Sequence, residues 1–201
     1  MGPCGMGGRM RRALAGCGLI VLAAAGVAAG ASQPVSVGDA RGDLGSGTLD
    51  LVRVSFGLAP DGKLRASITM ARSFRVEDLV AKSGPPGTVC MRLWLPGHLP
   101  SATIPDYLVC AHAAASGGHL LASVLKERPG DLPIRVANAS VAHPTGRTVV
   151  MRFAQSALGT PASLRFGAET NRAGCSRLSC TDTAPDAPST GLLTLRAAGG
   201  H

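Results

Sequence analysis

Apolar and polar residues alternate along most of the chain after residue 48. Leu64, Ala66, Ile68 and Met70 interleave with Lys63, Arg65, Ser67 and Thr69, which gives a strand with one face in a core and the other in water. Pro60-Asp61-Gly62 just ahead of this run is a turn signal, because proline presets φ and glycine accepts a positive one. Thr48 to Phe56 and Gly62 to Ala71 are therefore predicted to form a hairpin. Further strands are predicted over Thr88 to Leu95, Tyr107 to Ala111, His119 to Lys126, Ile134 to Ala142, Arg147 to Phe153, Ser163 to Ala168 and Leu192 to Arg196. No segment keeps a helical period. The expected fold is an antiparallel β-sandwich of about seven to nine strands, with jelly-roll or immunoglobulin-like topology.

Two short stretches break the rhythm. Ser73 to Val80 and Ser156 to Gly159 each read as a single helical turn between strands, the second closed by its glycine. Gly167 to Ser189 shows no clear period, and a loop of that length in a compact domain is commonly functional, disordered or stapled. Cys175 and Cys180 inside it point to a staple.

The N-terminal segment follows different rules. Arg9, Arg11 and Arg12 form a basic n-region, Leu19 to Ala29 an apolar stretch, and Ala29-Gly30-Ala31 an A-x-A cleavage site, so residues 1–31 read as an export signal peptide. Leu14-Ala15-Gly16-Cys17 has the shape of a lipoprotein box but stands before the apolar stretch rather than after it. The alternative is an uncleaved anchor over Ala13 to Ala31, which is long enough to span a bilayer but consists mostly of alanine and glycine. After cleavage, residues 32–47 form an acidic, glycine-rich lead-in and 48–201 a single domain. The expected location is secreted, with no membrane span in the mature chain.

The formal charge of +8 includes the three arginines of the n-region, and without them it is +5. The remaining basic residues are spread along the predicted strands. With one Trp, one Tyr and four Phe there is little on which to stack bases, so nucleic acid is not an expected partner. The surplus charge suits a solvated surface.

Cys90, Cys110, Cys175 and Cys180 remain after cleavage, and four thiols permit three pairings. Cys90 and Cys110 fall in adjacent predicted strands, where facing residues lie within bridging reach, so the expected disulfides are Cys90–Cys110 and Cys175–Cys180. Closing the longer loop contributes about 3 kcal/mol in the chain-entropy model. The C-x-x-x-x-C spacing matches neither a thioredoxin-like nor a zinc motif.

G-x-S-x-G and H-E-x-x-H are absent from the sequence. Glu77, Glu127 and Glu169 are the only glutamates that could join a carboxylate pair of the glycosidase kind. His112 and His119 flank a Ser-Gly-Gly turn without a third metal ligand. Asp39, Asp43 and Asp50 near one end of the domain, and Asp182 and Asp186 near the other, make oxygen-rich loops that suit calcium. Asp39, Asp43, Asp182 and Asp186 are the candidate cation ligands. The same residues also suit turns whose side chains bond local backbone. Trp94 shares a strand face with Cys90 and Arg92, opposite Val89, Met91, Leu93 and Leu95, and so either packs over the disulfide or meets a ligand.

The order D-x-x-G-D (Asp39 to Asp43), L-D-L-V-R-V (Leu49 to Val54), G-K-L-R-A-S-I (Gly62 to Ile68), V-V-M-R-F-A-Q-S-A-L-G (Val149 to Gly159) and C-T-D-T-A-P-D (Cys180 to Asp186) resembles secreted actinobacterial β-sandwich proteins. Their architecture is similar to DOMON-like domains and family-nine carbohydrate-binding modules. The resemblance implies a cation in the acidic N-terminal loop and sugar on an aromatic face, for which Trp94 and Tyr107 are the stacking residues available. The leading expectation is a non-catalytic binding or cell-envelope interaction module with an unassigned extracellular partner. The alternative is a calcium-stabilised carbohydrate- or small-ligand-binding domain, and a secreted hydrolase stands third.

Overall fold

The computed structural model describes residues 33–42, 47–97, 104–175, 180–186 and 190–195; the signal segment 1–31 and Asp43 lie outside the described residues. Among the described residues there are eleven strands: β1 (Val35–Gly38), β2 (Leu51–Leu58), β3 (Leu64–Met70), β4 (Thr88–Trp94), β5 (Tyr107–Ala113), β6 (Leu120–Lys126), β7 (Ile134–Thr145), β8 (Thr148–Phe153), β9 (Ser163–Asn171), β10 (Thr181–Ala184) and β11 (Gly191–Thr194). They form one antiparallel sheet in the order β1-β2-β3-β8-β7-β6-β5-β4-β9-β10, with β11 also on β9.

The β2–β3 hairpin forms where the turn chemistry puts it. Gly62 takes φ +74°, its N–H donates to Ala59, and the Asp61 side chain accepts from the Lys63 N–H. The two single turns are 3₁₀ helices over Val76–Leu79 and Gln155–Leu158, and Gly159 closes the second in the left-handed region.

Twelve-residue β7 joins two walls of the sheet. Its first part pairs with β6, and from Ser140 onward it pairs with β8. Register shifts beside Val136 and beyond Ala142 give the local bend and twist that bulges supply. β1, β2, β3, β8 and the end of β7 make one wall. The start of β7 with β6, β5, β4, β9, β10 and β11 makes the other. The sheet coils nearly into a barrel, so that β10 comes against β2 and β1 against β11.

The core lies between the walls. Phe56 of β2 meets Phe166 of β9 with ring centroids 5.5 Å apart and Phe153 of β8 at 6.3 Å, and all three rings are buried. Leu64, Ala66, Ile68 and Met70, the apolar row read from the sequence, are fully buried around them.

The count of eleven strands exceeds the seven to nine expected because β1 and β10 are four-residue strands, too short to display a period. β1 comes from the segment expected to be a lead-in and pairs with β2 over its whole length. In Gly167–Ser189, β9 runs on to Asn171 and β10 takes up Thr181–Ala184. The connection between them is therefore short, and the Cys175–Cys180 disulfide spans most of it. Cys90 and Cys110 face each other in the β4–β5 register and are bonded, with Cα atoms 4.0 Å apart. Among the described residues no helix is long and apolar enough to cross a membrane.

Candidate functional site

The acidic segments at the two ends of the domain meet, and they meet on backbone. Asp50 is buried, and both its carboxylate oxygens accept the Gly42 N–H at 3.0 Å. Asp182, also buried, accepts the Leu51 N–H through Oδ2 at 2.6 Å, and nearby the Thr170 hydroxyl donates to the Leu49 carbonyl at 2.7 Å. These bonds tie β9 and β10 to the entry of β2, where the rolled sheet has no continuous ladder. Asp39 is half-buried beside β1 with its N–H on Val52, and Asp186 is exposed after Pro185. Among the described residues, no three of His, Cys, Asp and Glu stand close enough together to hold a metal ion.

Trp94 and Tyr107 do not form an aromatic platform. Tyr107 lies on the inner face of β5 and belongs to the core. Trp94 points outward as alternation requires, yet it is buried: its Nε1–H donates to the Ile104 carbonyl at 3.1 Å and the Arg92 guanidinium lies 5.0 Å over the ring. Arg92 sits between Trp94 and the Cys90–Cys110 bridge on this face, and its Nε is 3.4 Å from the Glu169 carboxylate. What the spacing could not reveal was this cover, supplied by neighbours from β4, β9 and the β4–β5 connection.

Burial raises the Glu169 carboxyl above the ordinary glutamate range; Arg92 works in the opposite direction, and Glu127 adds to the rise. Because the folded value is the higher one, Glu169 contributes stability that is whole below the ordinary glutamate range and is lost as pH climbs through the raised value. Urea unfolding across that window is expected to show wild-type stability falling relative to Glu169→Gln as pH rises. Parallel profiles for the two proteins would remove Glu169 as the source.

The most distinctive polar surface is the outer face of the first wall, and it was hidden in the linear sequence. Arg53 of β2, Arg65 of β3 and Arg152 of β8 all point outward from it, since Val54, Leu64, Ala66, Met151 and Phe153 beside them are buried. Arg65 stands directly opposite Arg152 in the β3–β8 register. Hydroxyls fill much of the remaining face. Ser36 and Ser55 are 2.7 Å apart across β1 and β2, Thr69 and Thr148 are 3.4 Å apart across β3 and β8, and Ser67 and Ser140 lie between and beside them. No aspartate or glutamate occurs in β1, β2, β3, β7 or β8. Three exposed cations of other segments are matched: Lys63 by Asp61, Arg75 by Asp78 and Arg128 by Asp131. Arg53, Arg65 and Arg152 make no ion pair among the described residues. Three arginines far apart in the chain are thus brought onto one face by strand pairing. The available signal was that each occupies a polar position in a strand without acids.

Comparison with known proteins finds no family model that matches the chain, no similar curated protein and no solved structure of matching fold.

Proposed function

We propose that this protein is an exported, non-catalytic β-sandwich module that attaches to anionic material of the cell envelope through the outer face of its first wall. The observation that carries this reading is the set Arg53, Arg65 and Arg152, outward on neighbouring strands that contain no carboxylate. Such a surface attracts anions and repels cations before any specific contact forms. Two disulfides in a domain of this size fit an oxidising compartment, which favours an extracellular location. The packing of Phe56 against Phe166 across the core supports the reading of the two walls as facing layers of a sandwich.

The test is retention on a phosphate-bearing cation-exchange matrix. Arg53→Ser/Arg65→Ser/Arg152→Ser is expected to elute at markedly lower salt than the wild type. Arg75→Ser/Lys82→Ser/Lys126→Ser, which loses the same formal charge from other surfaces, is expected to elute later than that variant. Equal shifts for the two triple variants would show that net charge, and not this face, governs attachment.

A further inference from the structure

Arg65 and Arg152 form a cost that the fold does not use. Like charges directly opposite on adjacent strands destabilise a sheet, and paired positions place their Cβ atoms only about 5 Å apart. Neither guanidinium has an ion-pair partner among the described residues, and their strands supply none. Resting on the reading that this face binds anionic envelope material, we infer that Arg65 and Arg152 clamp one phosphodiester group of a phosphodiester-linked polyol polymer, while Arg53 holds a later phosphate of the same chain.

Three features of the face select this ligand. A carboxylate holds its two oxygens in one plane and matches a single guanidinium fork, whereas the free oxygens of a phosphodiester diverge tetrahedrally, so forks from two strands can each take one. Between the clamp and Arg53 lie Ser55 and Ser67, paired in register and able to bond polyol hydroxyls. Arg53 is four residues along β2 from Gly57, the residue opposite Arg65, so the two cationic positions are about 14 Å apart. A chain lying across the face would thus meet cation, hydroxyls and cation in turn.

The surface also selects against the other polyanions. No aromatic side chain points outward from these five strands, so stacked bases find no platform. The exposed large apolar residues Val80, Ile104, Leu121, Leu132, Ile134, Val136 and Leu192 lie elsewhere, so this face offers nothing to insert into a lipid surface.

The experiment is a titration of the full folded protein with poly(glycerol phosphate), with polygalacturonate as a carboxylate polymer of matched charge, and with phosphatidylglycerol vesicles. Poly(glycerol phosphate) is expected to bind tightest. Arg65→Lys and Arg152→Lys, which keep the charge and lose the fork, are each expected to weaken it about tenfold, and Arg53→Lys far less. Circular dichroism and thermal melting confirm that each lysine variant folds. Equal binding of polygalacturonate, or equal loss from all three lysine variants, would overturn the clamp while leaving the anionic face standing. Tighter binding to vesicles would replace the polymer with a lipid surface. Failure to bind any of the three probes would overturn the clamp and the proposed function together.

Discussion

Phe166→Ala is expected to cost about 3–5 kcal/mol of unfolding free energy, a large fraction of what holds a domain of this size together. The ring is wholly buried, touches Phe56 across the core and lies over Gly191, its register partner in β11. A Cβ built on Gly191 would sit 2.3 Å from Cζ of that ring, so the glycine is there to let the aromatic lie across the strand. Gly191→Ala alone should therefore cost about 1–3 kcal/mol by overpacking. With the ring removed, the added methyl meets open space. The double variant is expected to be less destabilised than the two single costs summed, by on the order of 1 kcal/mol or more. Urea midpoints for the four proteins, with m-values compared, measure the coupling. Strict additivity would mean that the ring does not rest on Gly191.

Asp182→Ala is expected to cost about 2–3 kcal/mol, since it leaves the Leu51 N–H without its charged acceptor at a buried position. Asp182→Asn keeps an acceptor oxygen and loses the charge, so it should cost less. Both losses should be the same with a calcium chelator or with added calcium, because the carboxylate oxygen is already engaged by backbone. Thermal melts of the wild type and both variants in each condition make the comparison. A chelator that lowered the wild-type melting temperature to that of Asp182→Ala would show that this carboxylate works through a cation instead.

The two cases mark how far the sequence could be read. Period-two alternation located the long strands because each has one face against the core, and the β2–β3 turn was legible because Pro60 and Gly62 have restricted or permissive φ. The Cys90–Cys110 bridge followed from its two strands being consecutive. Strands β1 and β10 were not legible, since four residues cannot establish a period and their pairing comes from partners supplied elsewhere. Non-local pairing also hid the candidate surface. Arg65 and Arg152 are neighbours only because β8 returns to pair with β3 after β4, β5, β6 and the first part of β7 have built the other wall. The aspartates stand out in the sequence as two acidic segments, but what Asp50 and Asp182 bond is set by the N–H groups of Gly42 and Leu51, which no spacing rule identifies. Trp94 was placed on the outer face by alternation, and its burial depended on Arg92 and on the Ile104 carbonyl.

The most direct test of the arginine-bearing face as the binding surface is chemical-shift mapping of the labelled, disulfide-intact protein during titration with poly(glycerol phosphate). Shifts are predicted to concentrate on the side chains of Arg53, Arg65 and Arg152 and on the amides of Ser55, Ser67 and Thr148. Perturbations centred instead on Trp94 and Glu169, or on Leu132 to Val136, would place binding on the opposite wall and contradict it.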